Sequence, residues 1–396
     1  MILFATVESL KSEAAEKTGL RDFGDAWFEA PLAAWAEDLH SPALSDKGRA
    51  FFKRLAVNNL CRRLEVTDCL MRHPEIGAVE IPPILYITGL ERSGTTLLHN
   101  LLALHPQGRT LLRWELMFPT PPPEAETYRT DSRIAEVQAS IEPLRGTKLE
   151  HMHWVNADEP EECTWGAYDC TGLLGRAPSA LAPAWTRWIQ ENDLTNSYRE
   201  YRRLIQLLTW RNPVPAGGHL VLKCPQNSRS LHALVDIFPE ARLVFTHRDP
   251  YRALMSATSL VDHITSAFTS FGGLWRPEGP AVASVIAGGE MAMSCMAAID
   301  RAERGRVQNV GYPMLVKEPL QVVRDIYRRF EITEPSDLHD RINAFLAAQA
   351  RGKRAAPTHD IASYGLEPSI LRARPVVSDY CAHFGVSPEA TRITGM

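Results

Sequence analysis

Charge of one sign is what this chain most lacks. In 396 residues, 43 Lys and Arg stand against 47 Asp and Glu, a net charge of −4. Nucleic acid as an obligate partner is therefore not expected, because phosphate-backbone binding needs a strongly basic face. Cysteine is also scarce: seven, an odd number, with no Cys-x-x-Cys pair. That excludes a disulfide scaffold and fits free thiols in a reducing, cytoplasmic setting. No His-Glu-x-x-His or comparable ligand spacing occurs, so no metal is expected. Internal repeats and low-complexity tracts are missing too. The opening MILFATVESLKSE is only briefly apolar and has no basic run ahead of it, so no secretory leader is expected there. Residues 279–300 are apolar over a spanning length, but Glu290 sits at their centre, Gly288 and Gly289 interrupt them, and most of the side chains are small. They read as a buried helix, without integral membrane association.

What is present is an ordinary globular composition, 45% hydrophobic and 23% charged. Residues 1–80 read as helical and carry no evident chemistry. Phe52, Leu55, Ala56, Leu60, Leu64 and Met71 form a helical stripe, with Lys53, Arg54, Arg62 and Arg63 largely off it. The informative stretch follows. Ile84 to Ile87 is a short apolar, β-rich run behind Pro82 and Pro83; Gly89 to Gly94 break the pattern; Leu97, Leu98, Leu101, Leu102 and Leu104 then fall at helical spacing. Strand, tight loop and helix leave several backbone N–H groups aimed at one spot, at the positive end of the helix dipole, where phosphate or sulfate binds. The loop nearly matches the nucleotide-binding pattern G-x-x-x-x-G-K-[ST], with Gly89, Gly94 and Thr96 in place. Thr95, however, stands where that pattern demands Lys, and the nearest cation is Arg92.

Further strands are expected at His219–Lys223, Leu243–Thr246 and Val307–Tyr312, with Asn227-Ser228 capping the helix after the first of them. A helix over residues 195–212 turns Tyr198, Tyr201, Ile205 and Leu208 inward and stops at Pro213. This alternation predicts an α/β fold: a P-loop NTPase-like, mostly parallel sheet with helices on both faces. The core is expected over residues 81–330, with helical extensions at 1–80 and 331–396, in one compact domain. In such sheets ligands sit beyond the carboxyl ends of the strands. Arg92, Lys223 and Arg248 all fall at or just past such ends, which points to a ligand with more than one anionic group. Prolines 119, 121, 122 and 123 impose an extended segment after Arg113-Trp114-Glu115, and Glu115 is close enough to the loop to fold back over the same pocket. His151, His153, Asp158, Glu159, Glu161 and Glu162 are dense but lack ligand spacing; with Pro160 the acids read as a helix start beside an acceptor pocket. Residues 172–183 read as a loop. Trp154, Trp165, Trp185 and Trp188 either line that pocket or belong to plain core.

In these residues the chain resembles the sulfotransferases that use 3′-phosphoadenylyl sulfate (PAPS), in particular the bacterial branch and its relatives that sulfate protein tyrosine. Arg92-Ser93-Gly94-Thr95-Thr96-Leu97, followed by His105-Pro106, looks like the family's 5′-phosphosulfate loop. Arg248 and Ser256 look like its 3′-phosphate site, and Tyr312 in GYPMLVKEP like the tyrosine that reaches the nucleotide. Glu115 resembles the general base of the tyrosine-sulfating relatives and is chosen over Glu159, Glu161, Glu162 and His151, which stay open as alternative bases. The likeness spans about residues 80 to 330, with an echo at Tyr364-Gly365-Leu366. It implies PAPS as co-substrate, binding by Arg92 through Leu97, Lys223, Arg248, Ser256 and Tyr312, in-line transfer to a hydroxyl or amine with Arg92 and Glu115 catalytic, and no metal. Where cytosolic members place a histidine after the strand lysine, this chain has Cys224-Pro225-Gln226-Asn227. They also have Lys in place of Arg92, and both differences favour a carboxylate base.

A P-loop kinase or NTPase is the competing expectation. It would need the loop Lys and an acid for Mg²⁺, for which Asp249 is the candidate. His247-Arg248-Asp249 mimics a kinase catalytic triplet, but Leu254 stands where that motif needs Asn. A non-catalytic nucleotide-binding scaffold is the other alternative. The acceptor is expected to be a small-molecule or lipid-like hydroxyl compound; its identity and the oligomeric state do not follow from the sequence.

Overall fold

The computed structural model describes residues 5–147, 150, 155–166, 181–270, 275, 279–352 and 364–389. Its centre is a five-stranded sheet with all pairings parallel. The strands are β1 (Ile84–Gly89), β2 (Gly108–Thr110), β3 (His219–Lys223), β4 (Ala241–His247) and β5 (Val307–Gly311), in the order β2-β3-β1-β4-β5. β2 is an addition to the expected set: three residues are too short to show a period.

The period-2 alternation of β1 sorts its side chains to two faces. Ile84 and Tyr86 join the core with Leu204, Leu208, Leu231 and Met296; Leu85 and Ile87 join the opposite core with Leu98, Leu101, Val323 and Ile326. Both faces are thus covered by helices, as a buried parallel sheet requires. The chain builds out from β1 through β2 and β3 on one side, then crosses to β4 and β5 on the other. The crevice at the carboxyl end of β1 is therefore the topological switch point, where such sheets take their ligands.

The N-terminal helices Val7–Thr18, Glu29–Asp38 and Asp46–Arg72 enclose a core of their own around Trp35, Phe52, Leu60 and Leu64. Asp38 at the end of its helix accepts from the Ala184 and Trp185 N–H groups at 3.0 and 2.9 Å, fastening this layer to the helix Pro183–Glu191. The helix Thr195–Trp210 buries Tyr198, Tyr201, Ile205 and Leu208. The apolar stretch forms the helix Pro280–Ala302, which by length and composition alone is capable of crossing a membrane. One side of it packs inward. A Cβ at Gly289 would stand 2.4 Å from Leu254, so glycine is what lets this helix meet Pro250–Thr265 closely. Glu290 pairs with Arg374 at 2.6 Å on the other side.

Two local expectations are corrected. Asn227 and Ser228 do not cap the helix Leu231–Ile237; they lie in a 3₁₀ turn, Pro225–Arg229, and Ser230 occupies the cap position. The acidic segment does not itself form a first helical turn; it leads directly into the short 3₁₀ turn Cys163–Gly166. Arg113 N–H donates to Glu159 O at 3.1 Å and Glu161 N–H to Leu111 O at 3.0 Å, which holds residues 157–161 alongside 111–114, with a single antiparallel bridge between Leu112 and Pro160. This pairing moves the helical start past the acids to Cys163.

Candidate active site

The loop after β1 has the shape that its sequence demands. A Cβ at Gly94 (φ +96°) would lie 2.9 Å from the Tyr312 ring, so only glycine lets that ring close over the loop. Arg92 itself adopts φ +69°, a left-handed conformation costing a β-carbon-bearing residue roughly 1–2 kcal/mol. The strain aims its side chain across the crevice. Arg92 Nε donates to Ser256 Oγ at 3.2 Å, and Arg248 donates to the Arg92 carbonyl at 3.0 Å. The Arg248 guanidinium lies 4.2 Å over the Tyr312 ring. Residues from three separate stretches of chain are brought together here. Burial, and then the neighbouring Arg248 charge, push the Arg92 pKa down, because two cations share a partly dehydrated space. An anion between them would relieve that repulsion.

Ser93 departs from its expected role. Its N–H donates to Leu90 O at 3.2 Å, and its hydroxyl contacts Leu90 O at 2.5 Å and Thr246 Oγ1 at 2.6 Å. Buried and committed to the loop's own shape, it ties the loop to β4 rather than facing the crevice. Gly94, Thr95, Thr96 and Leu97 do line the crevice, at the N-terminus of the helix Thr95–Leu102, whose first N–H groups have no intrahelical acceptor.

Lys223, at the end of β3, completes the polar cluster. Its buried ammonium donates to Glu162 at 2.9 Å and reaches Thr96 Oγ1 at 3.5 Å. Behind it, burial and then the Lys223 charge hold the pKa of His99 down, to about 3, so that imidazole is neutral. Glu162 lines the crevice; its sequence neighbour Glu161 is paired with Arg113.

Glu115 requires correction. It is fully buried, away from the crevice lining. One oxygen accepts from Arg109 at 2.8 Å; the other accepts from the Leu112 N–H at 2.8 Å and the Tyr128 hydroxyl at 2.5 Å. The cause is Arg109: carried inward by β2, its guanidinium is buried and needs a countercharge at hydrogen-bond distance. The candidate base His151 lies outside the described residues, as do His153, Trp154 and residues 172–180. Asp249, the candidate for Mg²⁺, accepts instead from the Tyr251 N–H at 3.0 Å, Arg372 at 2.8 Å and the Glu389 N–H at 2.9 Å. Among the described residues no group of three or more His, Cys, Asp or Glu is placed to hold a metal.

Arg92, Thr96, Glu162, Arg248 and Tyr312 line one end of a cavity of about 700 Å³, with Lys223 buried just beneath that lining, behind Glu162 and Thr96. The other end is lined by Phe51, Phe52, Leu260, Val261, Ile264 and Phe268, and Gln226 lies in the lining as well. Two features of this site escaped sequence reasoning. The phenylalanines match no motif. Glu389, near the described C-terminal end, pairs through its two oxygens with one edge of the Arg248 guanidinium, Nε and Nη2, at 2.9 and 3.0 Å. Glu162 was among the alternatives to Glu115, and one signal favoured it: a lysine buried at a strand end must have a countercharge, and the acidic cluster was the place to look.

Comparisons with known proteins agree with this geometry. A model of the Sulfotransferase family matches residues 83–336. The structure of sulfotransferase STF9 from Mycobacterium avium superimposes with a TM-score of 0.86 at 26% identity, covering 98% of this chain and 99% of that one. Sulfotransferase STF1 from Mycobacterium tuberculosis gives a TM-score of 0.80 at 25% identity, covering 93% and 98%. Nothing among curated protein sequences matches the chain.

Proposed function

The chain belongs to the sulfotransferase family and is an enzyme of sulfuryl transfer, and on that premise we propose PAPS as its donor, a hydroxyl compound as its acceptor, and Glu162 as its general base. The observation that carries this reading is the contact of Glu162 with Lys223, which also reaches Thr96. A base, a cation and the anion-binding loop are within one side chain's length of each other.

In this reading the 5′-phosphate rests on the N–H groups at the start of the helix Thr95–Leu102, and Thr96 adds its hydroxyl. Arg248 and Ser256 hold the 3′-phosphate, which is what separates this donor from ATP; Tyr312 stacks beside it. As the acceptor oxygen attacks sulfur, Glu162 takes its proton. The bond from sulfur to the phosphate oxygen breaks, and its electron pair stays on the departing 3′-phosphoadenosine 5′-phosphate. Arg92 forks across the sulfuryl oxygens and Lys223 neutralises the departing oxygen, so charge is stabilised where it develops. A positioned carboxylate base contributes about 10² to 10⁴ in rate. The kinase alternative is disfavoured by Thr95 in place of the loop Lys and by an Asp249 spent on three donors.

Thermal shift tests the donor. 3′-Phosphoadenosine 5′-phosphate is expected to raise the melting temperature at concentrations where ATP does little, since only the former offers a group to Arg248 and Ser256. Equal shifts with the two nucleotides, or a shift that requires Mg²⁺, would return the site to the kinase reading.

A further inference from the structure

The cavity's second end has a composition of its own, and its origin is unexpected. Part of it, Phe51 and Phe52, comes from the N-terminal layer, the part of the chain in which no chemistry was legible. Phe51 and Phe52 project from the helix Asp46–Arg72; Leu260, Val261 and Ile264 project from Pro250–Thr265, the helix that also carries Ser256. Phe268 joins them, stacked on Phe51 with ring centroids 4.5 Å apart and planes 16° from parallel, while Phe52 meets Phe268 at 5.7 Å, edge to face.

This wall is a fixed construction rather than a chance approach. Ser45 N–H donates to Phe268 O at 3.0 Å and Ser270 N–H donates to Ala43 O at 2.9 Å, with an antiparallel bridge between Leu44 and Thr269. A Cβ at Gly48 would lie 2.2 Å from Phe268 O, so glycine on the first turn of Asp46–Arg72 is what allows the two segments to touch. The helix is anchored at the place where its phenylalanines enter the cavity.

Chemically the wall is hydrocarbon. Among the lining residues of these two helices, His263 is the only titratable one. A sugar or a peptide would leave hydroxyl or amide groups without partners there, at a cost of about 1–3 kcal/mol each. A hydrocarbon skeleton would gain from every carbon it buries. Meanwhile the sulfur-bearing end of the cavity, with Glu162 and Arg92, needs one hydroxyl.

We propose that the acceptor is a small hydrophobic alcohol or phenol, a single reactive hydroxyl on a compact hydrocarbon skeleton, and that Phe51, Phe268 and Ile264 of this wall determine which skeletons are accepted. This rests on the donor and base assignments above for the position of the hydroxyl, but the apolar binding stands apart from them. The N-terminal layer is then the specificity element of the enzyme.

The test is calorimetric titration of 4-ethyl-, 4-butyl- and 4-hexylphenol into the protein saturated with 3′-phosphoadenosine 5′-phosphate. Affinity is expected to rise by about two- to fourfold per methylene. Phe51→Ala, at a half-buried position, is expected to weaken hexylphenol binding by about tenfold while nucleotide affinity stays within about twofold. Ile264→Trp, which fills the far end, should exclude hexylphenol and spare ethylphenol. Affinity independent of alkyl length, or unchanged in both variants, overturns the proposal. If the nucleotide itself fails to bind, the donor assignment is what has failed; the same phenol titrations run without it still decide whether this wall takes hydrocarbon.

Discussion

The two ends of the one cavity were built by different rules. At the polar end Arg92, Lys223, Arg248 and Tyr312 each sit at or just after the carboxyl end of a parallel strand, and their roles depend on individual atoms within hydrogen-bond reach. At the apolar end Phe51 and Phe52 come from one helix and Phe268 from a 3₁₀ turn remote from it in sequence, and what counts is carbon at contact distance. Recognition of an anion is directional and charge-specific, so it leaves motifs. Recognition of hydrocarbon scales with area and tolerates exchange of one apolar residue for another, so it leaves none.

That contrast can be broken most sharply at the polar end. Glu162→Gln is expected to lower turnover by roughly 10² to 10⁴ while 3′-phosphoadenosine 5′-phosphate still binds. A variant retaining more than a tenth of wild-type turnover would remove Glu162 from the role of base. Glu115→Gln is the matched control. It leaves Arg109 buried beside a neutral partner, so urea unfolding should show a loss of about 3–5 kcal/mol, with turnover of the folded protein nearly intact. Loss of turnover without loss of stability would restore Glu115 to the chemistry.

Arg248→Ala should weaken nucleotide binding by roughly 10- to 150-fold, the worth of a charge-assisted hydrogen bond. Unchanged affinity by calorimetry would make Arg248 a purely structural partner of Glu389. The smallest effect expected is at Glu389 itself. Its carboxylate sits on the guanidinium edge that the 3′-phosphate would use, and a partly exposed ion pair is worth only about 0.2–1 kcal/mol. Glu389→Gln should therefore tighten nucleotide binding by up to about fivefold at low salt. Weaker binding instead would mean that Glu389 positions Arg248 rather than competing for it.

Much of the frame was legible. The apolar run Ile84–Ile87, the Gly89–Gly94 break and the leucine spacing after it became β1, its loop and the helix Thr95–Leu102. Thr195–Trp210 buried the four residues that its periodicity turned inward. β2 was not legible because three residues carry no period, and the helical start read at the acids falls instead at Cys163, because residues 157–161 pair with 111–114.

By itself the sequence determined the strand–loop–helix unit and the positions of its cations. Glycine spacing, hydrophobic period and the adjacency of charge to a strand end are properties of neighbouring residues, and they act before any distant contact forms. The tertiary structure decided which carboxylate each buried cation would take: Glu115 went to Arg109, Glu161 to Arg113 and Glu162 to Lys223. All three acids were plausible candidates in the sequence. Charge pairing in a poorly solvated interior depends steeply on separations of a few ångströms, and those distances exist only once β2 and β3 lie side by side and the acidic segment packs alongside 111–114.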